Sequence, residues 1–241
     1  MLEQAFEALK TYKWGIDPKG IKPIQDAVVA THGNAAARKE LESKLAAALD
    51  TDIPRAAKDS VCRFLKTIGT AHSVPALAKL LHDAELSHMA RHALQTIDAK
   101  EAASALVNAI DKAPKKIKIG IISSLGARGK DVPVGALAKI VTDKDPEVSA
   151  AGALALGAIG SPESAKALGL AKVNDTNKLA VCDAMLQCAE SMLAHGKKSD
   201  AKTVYGKVLS IGPSKAAKMA AELGIKACTC LLYTSPSPRD K

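Results

Sequence analysis

The sequence predicts an all-α fold, a right-handed α-solenoid (superhelix) of about five helix pairs, and three observations point to it. Leucines recur at a near-constant interval of about 30 residues. Hydrophobic residues make up 47% of the chain but aromatic residues only 2%, so alanine and leucine supply most of the apolar mass. Both are strong helix formers. Helix start and stop signals also bracket each segment between the recurring leucines.

Two independent leucine series keep the same interval. Helix pairs that cannot bury their apolar stripe alone give this pattern when they stack in a row. We therefore expect both series to line one continuous core. The first series is Leu45, Leu77, Leu106, Leu137 and Leu168, and the second is Leu65, Leu94, Leu125 and Leu156.

Each interval contains a short first helix and a longer second helix. Residues 73–83 and 131–143 carry the first kind, and residues 86–97 carry apolar side chains at the i, i+3, i+4, i+7 spacing of the second kind. Asp145 and Ser161 each precede a proline, which predicts an N-cap followed by proline in the first helical turn. The glycines expected to end second helices are Gly69, Gly129 and Gly160.

The stretch DPEVSAAGALALGAIG, residues 145–160, resembles the second-helix signature of HEAT repeats. Its short period is similar to that of the HEAT-like subclass found in phycobilin lyases. The resemblance covers residues 34–192, and it implies stacked helix pairs that supply an extended binding surface. Small residues in such a helix let neighbouring layers approach closely.

The rest of the chain is predicted to flank this repeat solenoid of residues 34–192. Residues 1–33 form an N-terminal helical cap of two helices broken near residues 15–18, with Phe6, Tyr12 and Trp14 closing the stack. Residues 193–229 resemble a tetratricopeptide-like hairpin. Residues 230–241 resemble a translated sequencing adaptor, so we expect a non-native tail and a natural protein that continues past Ala227 with a different sequence.

The compartment depends on what precedes this chain. No run of about 18 apolar residues is present, and the N-terminus lacks a signal pattern, so this chain alone predicts a cytoplasmic protein without a membrane span. An upstream signal segment would make it exported instead. Residues 85–95 resemble HEAT arrays of planctomycete- and verrucomicrobium-type multidomain proteins, which implies an accessory module beside an enzymatic domain.

The sequence predicts a non-catalytic protein without a cofactor. His88 and His92 are four residues apart and are weak candidates for metal binding, since a helix presents such a pair on one face. Among the residues that stand at the positions of His88 and His92 in the other repeats, only Asp59 could act as a further metal ligand. The His-Glu pairs of HEAT-like deoxyhypusine hydroxylases are missing, no residue pattern supports bilin lyase activity, and no phosphate-binding loop follows a strand.

The second helices are expected to line a concave face that binds a protein, a peptide or another domain of the same chain. Ile119 and Ile122 would form an apolar strip on that face, unless neighbouring helices bury them. The alternative is nucleic-acid backbone binding, which the net charge of +9 permits. Along successive second helices the predicted stripe first carries a mixture of charged and uncharged side chains and then only apolar ones. This pattern does not favour nucleic-acid binding. The predicted face residues are Asp59, Lys66, His88, Arg91, Gln95, Ile119 and Ile122.

Overall fold

The computed structural model describes residues 1–15, 19–212 and 214–229, and every regular element within these ranges is a helix. This confirms the all-α prediction. The chain divides into two compact units, of which the first is Met1–Ala136 and the second starts at Leu137. No helix within the described ranges is long and apolar enough to cross a membrane.

The first unit contains eight helices within its described residues, and three short 3-10 segments follow or precede them. The 3-10 segments are Leu9–Thr11, Ala71–Ser73 and Leu80–His82. The helices are α1 (Leu2–Ala8), α2 (Lys22–Ala30), α3 (Ala35–Leu49), α4 (Arg55–Ile68), α5 (Val74–Lys79), α6 (Ser87–Thr96), α7 (Lys100–Ala109) and α8 (Lys115–Arg128).

Helix α9 (Val134–Ile140) spans the boundary between the units, and five longer helices follow it in the described part of the second unit. They are α10 (Pro146–Ile159), α11 (Pro162–Leu170), α12 (Lys178–Ala194), α13 (Lys198–Ser210) and α14 (Lys215–Thr229).

Helices of the first unit are arranged in two packed rows. The first helices α3, α5 and α7 follow one another in one row, and the second helices α4, α6 and α8 follow one another in the other. Each first helix also packs on the second helix that comes after it in the chain. This is the stacking of helix pairs that the recurring leucines predict.

Both leucine series lie in the core. Every member of the two series is completely buried, at 0% exposure. Each buried leucine contributes about 2 kcal/mol through the removal of its side chain from water. The repeat interval in the sequence is therefore the spacing of one core layer from the next.

The predicted helix boundaries are confirmed in α10 and α11. The Asp145 carboxylate accepts hydrogen bonds from the backbone N–H groups of Glu147 (2.9 Å) and Val148 (3.3 Å). The Ser161 hydroxyl accepts one from the backbone N–H of Ser164 at 3.0 Å. These bonds satisfy N–H groups that the first turn of a helix leaves without an intrahelical partner.

The three predicted stop glycines end their helices in two ways. Gly129 and Gly160 have positive φ angles of 71° and 64°, which glycine adopts without steric cost. Gly69 follows α4 with an extended backbone at φ −63°. A side chain at Gly69 would overlap the carbonyl oxygen of Leu65, so close approach requires glycine there.

Small residues in α10 permit close packing within the second unit. A Cβ atom at Gly157 would lie 2.8 Å from the Cα of Ala184 in α12, and one at Gly152 would lie 2.9 Å from the Ile140 side chain. A larger residue at either position would push the helices apart. This explains why residues 145–160 are so rich in alanine and glycine.

The terminal segments are helical, as expected. Helices α1 and α2 lie on either side of the predicted break, of which residues 16–18 are outside the described part of the chain. Trp14 is 52% exposed, and the Arg55 guanidinium lies over its ring at 5.2 Å. Helices α13 and α14 pack on each other and on α12.

The domain limits at residues 33, 192 and 229 stay predictions, as does the tetratricopeptide-like character of the C-terminal hairpin. The proposed adaptor-derived tail, residues 230–241, lies outside the described residues.

Leu156→Asp tests the buried leucine rows. We expect it to lower the free energy of unfolding by about 4 kcal/mol, because an unpaired carboxylate would occupy a dry, close-packed layer. Leu154→Asp is the matched control, since Leu154 lies two residues away in the same helix and is 48% exposed. It should cost less than about 1 kcal/mol. Chemical denaturation followed by circular dichroism measures both, and equal stability of the two variants would contradict the assignment.

Candidate functional site

The predicted face residues lie on the second-helix row of the first unit. Because α4 packs on α6 and α6 packs on α8, the three helices bring these residues together on neighbouring elements. The Thr96 hydroxyl of α6 donates a hydrogen bond to the backbone carbonyl of Lys66 in α4, at 3.3 Å. Asp59 and Lys66 lie on α4, His88, Arg91 and Gln95 on α6, and Ile119 and Ile122 on α8.

Asp59 is buried and pairs with an arginine of its own helix. Its side chain is 6% exposed, and its Oδ2 accepts a hydrogen bond from Nε of Arg63 at 3.1 Å. Arg63 is 64% exposed, and Lys66, one turn further along α4, is half-buried. The surface that α4 offers here is therefore cationic, although the sequence pattern places a carboxylate on it.

Arg91 joins α6 to α8. Its Nη1 donates a hydrogen bond to the carbonyl oxygen of Gly120 at 2.6 Å, and its Nη2 lies 3.4 Å from Nδ1 of His88. Since a guanidinium group only donates, Nδ1 of His88 is the acceptor in this contact. Any side chain at position 120 would overlap the guanidinium of Arg91. Glycine at this position therefore makes room for the bridge.

The two histidines of α6 lie beside the cations of α4. The rings of His88 and His92 stack with centroids 6.3 Å apart and planes 30° apart. Partial burial lowers the pKa of His92, and the nearby charges of Lys66, His88 and Arg63 lower it further. Burial also lowers the pKa of Arg91. The positive charges of Arg63 and Lys66 on α4 are therefore close enough to act on a side chain of α6.

Within the described ranges, the histidine pair lacks the further ligands that a metal ion would need. Among the described residues, no group of three or more histidine, cysteine, aspartate or glutamate side chains is placed to hold a metal ion. Asp59, the residue expected to assist, is bound to Arg63 instead. Metal binding by His88 and His92 therefore has no support from the ligand geometry.

The prediction that Ile119 and Ile122 form an exposed apolar strip is wrong for Ile122. Ile122 is completely buried, together with its neighbours Ile121 and Leu125, whereas Ile119 is half-buried. Residues three positions apart on a helix differ by about 60° in direction, and at the edge of a packed face that rotation decides burial. The apolar surface contributed by this pair is therefore limited to Ile119.

Arg128 is a buried residue that the leucine pattern does not reveal. Its Nη1 donates hydrogen bonds to the carbonyl oxygens of Leu94 (2.9 Å) and Ile97 (2.6 Å), and its Nη2 donates to that of Ala99 (2.8 Å). The carbonyls of Leu94 and Ile97 lie at the end of α6, where helices leave acceptors unsatisfied, and that of Ala99 directly precedes α7. The available signal is the repeat register, because Arg128 stands where the neighbouring repeats have isoleucine.

Glu42 is a second buried polar residue that the sequence pattern does not indicate. Its Oε1 accepts hydrogen bonds from the backbone N–H of Thr70 (2.6 Å) and from the Ser73 hydroxyl (2.8 Å). These groups begin the next repeat, so Glu42 ties consecutive repeats together. Like Arg128, it stabilises the stack that positions the face and does not contribute to the face itself.

Comparison with known protein families finds a match to a model described as HEAT repeats, over residues 103–185. This confirms the resemblance stated from residues 145–160. The comparison with curated proteins finds no match.

Several solved structures of designed or engineered proteins are similar to this chain. One designed armadillo repeat protein, solved in complex with the peptide (KR)4, is 17% identical over 94% of this chain and 99% of its own, with a TM-score of 0.37. Another is 16% identical over 95% and 100%, with a TM-score of 0.38. An engineered protein is 22% identical over 92% and 96%, with a TM-score of 0.27. At these TM-scores the likeness is too distant to support a statement on binding.

Ile122→Lys and Ile119→Lys form a matched pair that tests where the surface of α8 begins. We expect Ile122→Lys to lower the free energy of unfolding by about 4 kcal/mol, because it places an ammonium group in the core. Ile119→Lys should cost less than about 1 kcal/mol, since its side chain reaches solvent. Urea unfolding of both variants gives the comparison. A stable Ile122→Lys protein would show that this position is accessible after all.

Proposed function

Because residues 103–185 of this protein are HEAT repeats, we propose that it is a non-catalytic scaffold. It binds a protein, a peptide or a neighbouring domain of its own chain through the second-helix face of the first unit. We define this face as the outward side chains of α4, α6 and α8, which include Arg63, Lys66, His88, His92 and Ile119.

The observation that carries the proposal is that these side chains project from helices that pack on one another and are joined by side-chain hydrogen bonds. Arg91 bonds to the backbone of α8, and Thr96 bonds to the backbone of α4. A surface fixed in this way loses little conformational entropy when a partner binds. Cationic and apolar groups stand side by side on it, a combination that suits a polypeptide.

The chemistry of the face favours binding over catalysis. Acid–base and nucleophilic mechanisms place a nucleophile, a base and an orienting group within hydrogen-bond reach of one another. In the described part of this face the carboxylate of Asp59 is buried and engaged by Arg63. The thiol of Cys62, on α4, is completely buried, and desolvation raises its pKa to about 12. Neither group is available to a substrate.

Nucleic-acid backbone binding is the alternative, and the cations of α4 and α6 are the observation in its favour. On α8, however, the lysines are confined to the first turn, and Ile119 is followed on the same side of the helix by Ser123 and Ala127, both exposed. A basic track that follows phosphates needs lysine or arginine on each successive helix. The face therefore suits a peptide better than a nucleic-acid backbone.

Site-specific photo-crosslinking in the source cells tests the scaffold function. A benzophenone amino acid at Gln95, half-buried at the centre of the face, is expected to form discrete adducts with protein that survive nuclease treatment. The same probe at Lys39, exposed on α3, is the control and should not form them. Identical adducts from both positions, no adducts from Gln95, or adducts to nucleic acid alone would contradict the proposal.

A further inference from the structure

Building on the proposed function, we propose that the partner is an acidic peptide segment. Its carboxylates pair with the α4–α6 cluster, which we define as Arg63, Lys66, His88, Arg91 and His92. Next to the cluster, Ile119 contacts an apolar side chain of the same segment.

The first step in the argument is the unbalanced charge of the cluster. Arg63 and Lys66 lie on α4 and Arg91 lies on α6, and the structure places the carboxylate of Asp59 against Arg63. Asp59 engages Nε of Arg63, and the arginine side chain is 64% exposed, so it keeps surface that a partner can reach. In the described part of the chain Lys66 has no carboxylate within salt-bridge distance. The cluster therefore carries positive charge that the protein itself does not neutralise.

The second step is that these charges converge on one place. Lys66 and Arg63 of α4 both act on the imidazole of His92 in α6 and lower its pKa, after the larger effect of partial burial. The imidazole of His88 stacks beside it. A carboxylate bound between the two helices would lie near the ammonium group of Lys66, the guanidinium group of Arg63 and the two imidazole rings. Charge-assisted bonds of this kind are stronger than neutral hydrogen bonds.

The third step concerns the size of the cluster. Its cations span two neighbouring helices, whose axes lie about 10 Å apart. Duplex DNA presents one negative charge per about 1.7 Å of its length and is held by many contacts along a groove. A few carboxylates on a short peptide match this cluster better. Ile119 extends the surface with apolar area, which a peptide side chain can cover and a phosphate backbone cannot.

Fluorescence anisotropy with fluorescein-labelled decaglutamate, at low ionic strength, tests the inference on the full chain. Lys66→Glu reverses one charge of the cluster and leaves the Asp59–Arg63 pair intact. We expect it to weaken peptide binding at least about tenfold. Lys39→Glu makes the same reversal on the exposed surface of α3 and should change affinity less than about twofold, because it lies outside the cluster. Circular dichroism checks that both variants remain helical.

Three outcomes would overturn the inference. They are no binding of decaglutamate to the wild-type protein, equal weakening by Lys66→Glu and Lys39→Glu, and tighter binding of a single-stranded oligonucleotide with the same dependence on Lys66. The crosslinking experiment separates this failure from that of the scaffold function. Protein adducts at Gln95 without decaglutamate binding would leave the scaffold in place and assign it a partner that is not acidic.

Discussion

The structure depends on the complete burial of two leucine rows that no single helix pair could bury alone. Each repeat places its leucines at 0% exposure. In the first unit these are Leu45, Leu77 and Leu106 of the first helices and Leu65, Leu94 and Leu125 of the second, and in the second unit they are Leu137, Leu168 and Leu156. At about 2 kcal/mol for each leucine, the layers supply stability only when their neighbours are present. The proposed binding face depends on this packing, since the second helices of the first unit complete the core with their inner sides and expose side chains such as Arg63 on their outer sides.

Stacking helices this closely buries polar backbone groups at their ends, and a small set of side chains satisfies them. Arg128 caps the end of α6, and Arg38 donates to the carbonyl of Ile68 at the end of α4, at 2.7 Å. In the second unit the Asn177 amide donates to the carbonyl of Val141 at 3.2 Å. Buried carbonyls without such donors would each cost about 1–3 kcal/mol. These bonds fix the spacing of the repeats, and that spacing sets the distances between the cationic side chains.

The sequence predicts the helices well and the orientation of individual side chains less well. The leucine interval and the caps at Asp145 and Ser161 are local or periodic signals, so they can be identified without coordinates. The burial of Ile122 depends on a rotation of a few tens of degrees that tertiary packing decides. Arg128 looks like a surface charge because only the folded stack reveals the carbonyls that it satisfies. Of the predicted face residues, Asp59 is buried and bonded to Arg63, and Ile122 is buried in the core, so α8 offers mainly Ile119. The use of this face for binding stays a prediction.

Hydrogen–deuterium exchange of a Leu94→Ala variant tests the shared core most directly. Leu94 lies at the centre of the first unit, and its truncation should cost about 2–5 kcal/mol because a cavity opens in the middle layer. If the repeats are stabilised by one another, the backbone amides of α4 and α8 will exchange faster along with those of α6. Faster exchange confined to α6, with both neighbours at wild-type rates, would show that each helix pair is stable by itself and would contradict the account.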